Sequence, residues 1–229
     1  MGWRVQDPEK AFHLALKRGA KASDKGDYSY DRNGSKLFAV EGIGGSLIYL
    51  VEANQPSSIY ENLGFQKVET TQKVPHLGFV SIDHLTNNVP KGTLKQWSDF
   101  YKNIFGFSEV RYFDIRGVKT GLTSFALRSP CGKFCIPINE GTEDKSQINE
   151  YLREYNGPGV QHLAFETTDI IETVSKLRST SIDTLDIDSQ YYAEVFDRVP
   201  GVTESHKTLE DLNILVDGDQ EGYLLQIFT

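Results

Sequence analysis

Two of the five histidines stand in matching surroundings. Ile82-Asp83-His84-Leu85 and Val160-Gln161-His162-Leu163 share the order apolar, polar, His, Leu, and their histidines are 78 residues apart. Side chains alternate between the faces of a strand, so Asp83 and Gln161 are expected on one face and His84 and His162 on the other. If the two strands open equivalent halves of a repeat, both imidazoles enter one cavity. Neutral imidazole is the commonest side-chain metal ligand, and two of them with one carboxylate and open positions form the ligand set of non-haem Fe(II) oxygenases. A single histidine in a strand reads as an ordinary core or surface residue; the equivalent placement of two raises the metal reading. His13, His76 and His206 lack such a counterpart and read as structural, including His76, which lies on an extended segment just before His84.

The elements that would position the pair recur along the chain. Asp7-Pro8 supplies an N-cap and a proline at the first helical position, Ala11, Phe12, Ala15 and Leu16 follow at helical spacing, and Gly19 ends the run. Residues 36–41 and 46–52 are β-rich and are separated by Gly42, Gly44 and Gly45, which is turn chemistry. A polar connector follows over 54–75, with Pro56, Ser57 and Ser58. The second pass predicts a strand over 79–85, a helix over 94–104 stopped by Gly106, and strands over 108–113, 123–128 and 133–139. The third predicts a strand from Val160, a helix over 170–178, a short strand over 182–187, a long loop, and strands over 212–216 and 223–228.

The helical segments beginning at Asp7 and Asp169 share the N-cap aspartate and two apolar positions, Phe12 with Val174 and Ala15 with Leu177, at a constant offset of 162. The fold class is therefore α+β, built from repeated βαβββ modules whose curved mixed sheets pair around a cavity. The expected domains are 1–53, the end of an N-terminal domain, and 76–229, a catalytic domain of modules at about 76–152 and 155–229, joined by the connector.

Composition narrows the partners. The net charge of −8 supplies no basic footprint for a phosphate backbone, so nucleic acid is not expected. No apolar run reaches membrane-span length and the first ten residues carry no apolar signal core, so a cytoplasmic protein without a membrane partner is expected. Cys131 and Cys135 are too few for a disulfide framework and read as reduced thiols.

The stretches IDHLTNNVP, GLTSFALRSPCGKFCIPINEG, KSQINEYL, NGPGVQHLAFETTDI and GYLLQIFT, in that order, resemble the 4-hydroxyphenylpyruvate dioxygenase family of the vicinal-oxygen-chelate superfamily. The resemblance runs over essentially the whole chain and implies a mononuclear Fe(II) enzyme. Such an enzyme uses O2 to convert an aromatic 2-oxo acid, 4-hydroxyphenylpyruvate, to homogentisate and CO2 in tyrosine breakdown. Matched residue by residue, His84 and His162 fall on the two iron-binding histidines, and Ser124, Asn139, Gln147, Gln161 and Gln226 on polar residues of the substrate pocket. Uncharged amides and hydroxyls orient such a substrate without adding charge beside the metal.

There are two departures. In the family a glutamate on the strand after GYLLQIFT is the third ligand, which would fall beyond Thr229, and the start of the N-terminal half is also absent. A fragment with low iron occupancy and no activity of its own is expected, from a parent that forms homo-oligomers. Glu52 and Glu140 are carboxylates at strand ends that belong to other repeats and are not expected to replace the missing ligand. Two other functions remain open: 4-hydroxymandelate synthase, which shares the iron site and substrate, and a binding module of the same fold without redox chemistry.

Overall fold

The computed structural model describes residues 1–23, 30, 34, 36–54, 59–69, 75–116, 121–218 and 222–229. Pro56, Ser57 and Ser58 of the expected connector lie outside the described residues. The chain divides into two compact units, Met1–Thr71 with Ile82–Ala164, and Gln72–Ser81 with Phe165–Thr229.

The first unit opens with β1 (Gly2–Val5) and α1 (Pro8–Lys17). Asp7 caps the helix by accepting from the Lys10 amide at 2.9 Å, and Phe12 and Ala15 form its buried stripe. β2 (Phe38–Glu41) and β3 (Leu47–Glu52) follow, giving a sheet in the order β1-β3-β2, with β1 parallel and β2 antiparallel to β3. The turn between them is a short 3-10 segment in which Gly44 has φ 65°, and a Cβ there would lie 2.0 Å from the Pro158 carbonyl oxygen. Only glycine meets both demands, and this lets the turn rest on the residue that leads into the second histidine strand. A short helix α2 (Ile59–Asn62) comes next.

The remainder of this unit is built from β4 (Phe79–Val89), α3 (Leu94–Phe105), β5 (Ser108–Arg116), β6 (Gly121–Arg128), β7 (Cys135–Gly141), α4 (Gln147–Glu154) and β8 (Gly159–Thr167). Their mixed sheet has the order β5-β6-β7-β4-β8, antiparallel from β5 to β7 and parallel between β7 and β4. Its two faces differ in character. Leu127, Ile136 and Ile138 are fully buried and share one core with Leu94, Tyr101 and Ile104 of α3, with Phe12 of α1 and with Val40 and Ile48 of the first sheet. The alternate positions of β6, β7 and β4 carry Ser124, Asn139 and Asn88, which are successive register partners and therefore lie on the other face.

The division between units falls within β4 and β8, so both strands begin or end in the second unit. That unit contains α5 (Ile170–Leu177), α6 (Ser189–Arg198), α7 (His206–Asp211) and the hairpin β9 (Leu215–Gly218) with β10 (Tyr223–Gln226). Val174, Tyr192, Val195, Val199, Leu209 and Ile214 form its own core.

The third pass departs from expectation. Residues 182–187 form no strand; Asp183 and Asp186 sit among the apolar residues, and one ladder-like bond, from the Leu185 amide to the Phe228 carbonyl at 2.8 Å, ties the segment down. The expected long loop instead contains α6 and α7, capped by Asp188 and Ser205 and held by Tyr192, Val195 and Leu209 at the core. β1 and α4 were also not expected. No helix among the described residues is long and apolar enough to cross a membrane.

Candidate metal centre

His84 on β4 and His162 on β8 stand on neighbouring strands of the five-stranded sheet. Their ring centroids are 5.4 Å apart at an interplanar angle of 75°, and their Nε2 atoms face each other at 3.4 Å. Both residues are half-buried. Two strands far apart in sequence thus bring the two histidines to a single point.

The neighbours in sequence fix the other edge of each ring. Asp83 Oδ2 lies 2.7 Å from His84 Nδ1, and the Gln161 side-chain oxygen contacts His162 Nδ1. Strand alternation predicts that Asp83 and Gln161 turn away, but both side chains are exposed and long enough to curl back to the ring edge. A carboxylate and an amide oxygen can only accept, so in the neutral form of each ring Nδ1 carries the proton and Nε2 the lone pair. Burial first, and then the facing His84, lower the pKa of His162 from its ordinary value and so favour its neutral form.

With both rings neutral, two Nε2 lone pairs 3.4 Å apart repel each other, and a cation held by both nitrogens would relieve that repulsion. Neutral imidazole nitrogens converging from two strands are donors of the kind that divalent transition metals take. The donor chemistry therefore fits a divalent metal. No group of three or more His, Cys, Asp and Glu side chains suited to a metal occurs among the described residues.

The polar residues expected around a substrate are distributed unevenly. Ser124 is buried and stands opposite Asn139, whose Nδ2 donates to Asn88 Oδ1 at 3.4 Å. Asn88 and the buried Thr86 follow His84 at steps of two along β4, so these side chains share its face. Sequence reasoning missed Thr86 and Asn88, although that spacing from His84 was the available signal. It also missed Asp83 as a ring partner. Gln161 contacts His162 directly, whereas Gln147 is exposed at the start of α4, and no hydrogen bond joins it to either imidazole among the described residues. Gln226 belongs to the second unit, where it closes β10 opposite Leu215.

The remaining polar candidates have other partners. Glu140 accepts from the Gly92 and Leu94 amides at 2.7 and 2.9 Å and so caps α3, while Glu52 is exposed at the end of β3. His76 accepts from the Gly78 amide at 3.1 Å, His13 lies 3.8 Å from Glu9, and His206 stacks on Phe196 with centroids 3.6 Å apart. Both cysteines are free thiols.

Comparison with known proteins gives the arrangement a context. Residues 81–207 match the Glyoxalase/Bleomycin resistance protein/Dioxygenase superfamily. The whole chain is 51% identical to the protein MelA of Shewanella colwelliana, covering 65% of it. It is 43% identical to 4-hydroxyphenylpyruvate dioxygenase of Legionella pneumophila (strain Corby), covering 64% of it. A triple mutant of 4-hydroxymandelate synthase from Streptomyces coelicolor superposes with a TM-score of 0.79 at 25% identity, over 100% of this chain and 64% of that one. The chain thus spans just under two thirds of the length of these relatives.

Proposed function

The chain belongs to the Glyoxalase/Bleomycin resistance protein/Dioxygenase superfamily, and from that premise we propose that His84 and His162 hold Fe(II) in a dioxygenase acting on 4-hydroxyphenylpyruvate. The reaction is assigned to a protein of the relatives' full length, where it converts the substrate and one O2 to homogentisate and one CO2 in tyrosine catabolism. The observation that carries the reading is the pair of Nε2 atoms facing each other at 3.4 Å, each ring held by an acceptor at Nδ1. The family resemblance places a third ligand, a glutamate, on a strand following β10 in such a protein. The division into 1–53, a connector over 54–75 and a catalytic portion over 76–229 belongs to the same proposal.

Fe(II), when bound, would supply a Lewis-acidic centre for the oxygens of a 2-oxo acid and a redox-active site for O2, whose net electrons come from decarboxylation and ring oxidation of the substrate itself. Asp83 and Gln161 keep the Nδ1 protons in place and so keep both Nε2 lone pairs directed at one point. Ser124, Asn139 and Asn88 offer hydroxyl and amide groups on the His84 face, where they orient the polar end of a substrate without introducing charge. Gln147 and Gln226 are assigned to the same pocket on the resemblance.

Incubating the full-length protein with Fe(II), O2 and 4-hydroxyphenylpyruvate tests the reading by chromatography of the product. Homogentisate, lost in both His84→Ala and His162→Ala together with bound iron, is the expected result. The superposition on 4-hydroxymandelate synthase favours a second reading, and 4-hydroxymandelate as product would replace the first by it. Neither product from an iron-loaded protein would overturn both.

A further inference from the structure

A cavity of about 310 Å³ opens in the first unit, walled by β1 and α1 on one side and by the end of α3 and the β6–β7 turn on the other. None of the residues assigned to the metal or its substrate lines it. Its volume lies at the lower end of the range for small-molecule sites. Four aromatic rings form the wall: Trp3 packs edge-on against Phe105 at 4.8 Å and lies 5.6 and 5.8 Å from Phe107 and Phe134.

The charge of the lining is equally selective. Arg4 and Arg18 are the charged residues among it, and no carboxylate contributes, although acids outnumber bases in the chain by 32 to 24. Arg18 donates to the Ile104 carbonyl at 2.9 Å, and neither guanidinium takes part in an ion pair among the described residues. A planar guanidinium carries five donors in a fork that matches a carboxylate, and ring walls favour a flat apolar body.

We propose that this cavity is a second ligand site, for a small aromatic carboxylate, with the ring system against Trp3 and Phe134 and the carboxylate on Arg4 and Arg18. It is independent of the metal centre. Cys131 stands at the lip and reports on occupancy. Its thiol is exposed and held below the usual range by hydrogen bonds with the Ser129 hydroxyl, 3.4 Å away, and the Lys133 backbone, so it is open to alkylation.

Naphthalene-2-carboxylate and its neutral analogue naphthalene-2-carboxamide are the probes. Binding is followed by calorimetry and by protection of Cys131 from iodoacetamide, with peptide mapping to separate it from Cys135. The carboxylate should bind saturably and slow alkylation of Cys131, while the carboxamide binds about tenfold more weakly. Arg4→Gln with Arg18→Gln should remove that preference, and Arg4→Gln alone, at an exposed strand position, should reduce it should the double variant fail to fold. His84→Ala should bind the carboxylate as the unaltered protein does. No saturable binding, equal affinity for the two probes, an undiminished preference in Arg4→Gln, or unprotected Cys131 would each overturn the site. Loss of binding in His84→Ala would do so too, by placing the ligand at the imidazole pair.

Discussion

Asp83 and His84 are consecutive on β4, yet the Asp83 carboxylate reaches round to 2.7 Å from the Nδ1 of its neighbour's ring. The contact turns a surface acid into the group that decides which nitrogen of His84 offers a lone pair. Gln161 does the same for His162 with an amide in place of a carboxylate. The two ring partners therefore differ by one negative charge, which lies on the β4 side of the pair.

That difference sets the first expectation. In Asp83→Ala the Nδ1 proton loses its acceptor, the two tautomers mix, and part of the population turns a protonated Nε2 toward the metal position. Metal affinity should fall by about 10- to 100-fold, the usual cost of losing such a partner. Competition titration of Co(II) against a chromophoric chelator measures it. Unchanged affinity would mean that the ring is oriented by packing alone.

Glu140 makes a contrasting case, because its position beside Asn139 invites a role at the centre. Its carboxylate instead accepts two amides at the start of α3, where Thr93 provides no side-chain cap of its own. Glu140→Ala should destabilise the protein by about 1–2 kcal/mol. Urea unfolding should show a lower midpoint at constant slope, with Co(II) affinity unaltered.

How much of this was legible in the sequence depends on the range of the interaction. α1, α3 and α5 were readable because an N-cap, a proline or a C-terminal glycine marks their ends locally, as at Asp7, Pro8, Gly106 and Asp169. The mixed sheets and helices found are those expected of repeated βαβββ modules in this superfamily, and matching IDHL and VQHL sufficed to bring His84 and His162 together on paper. The failures lay where tertiary packing outweighed local pattern. Segment 182–187 carries Ile182, Leu185 and Ile187 at steps of three and two rather than in strict alternation, and a single backbone bond to Phe228 rather than a named strand pairing holds it among the described residues, while Tyr192 and Val195 become visible as a helix face once Leu209 and Ile214 are known to cover them. Asp83 was misplaced because period-two alternation fixes where a Cβ points and not where a longer side chain ends. Glu140 was a strand-end acid until the start of α3 was seen to lie within its reach.

Burial of Tyr192 gives the second unit a sensitivity to base. Its hydroxyl donates to the Ile214 carbonyl at 3.1 Å, and its pKa is pushed up from 10.0 to about 12, first by burial and then by Tyr191 and Glu210. The folded state favours the neutral phenol, so this stabilisation is complete below the unfolded value of about 10 and is lost as pH rises toward 12. Tyrosinate absorbance and circular dichroism should therefore change together in that window. Tyr192→Phe should cost about 1 kcal/mol at neutral pH through the lost hydrogen bond, and the difference between the two proteins should narrow as pH climbs. A gap that stays constant to pH 12 would contradict the assignment.

Asn139 separates orientation of substrate from retention of metal. It stands opposite Ser124 across β6 and β7, and its amide donates to Asn88 on the strand that carries His84. On the proposed function, in a protein of the relatives' length Asn139→Ala should leave iron content unchanged while kcat/KM for 4-hydroxyphenylpyruvate falls by a factor worth about 1–3 kcal/mol, the cost of an unpaired polar group and a misplaced substrate. Asn88→Ala should show a loss of the same kind. Because the two amides share a hydrogen bond, the double variant should lose less than the sum of the single losses, with a coupling of about 0.5 kcal/mol or more. Iron analysis by atomic absorption beside steady-state kinetics on all three variants provides the measurement. Loss of iron in Asn139→Ala would make it part of the metal's support, and strictly additive losses would show that Asn88 and Asn139 act on the substrate separately.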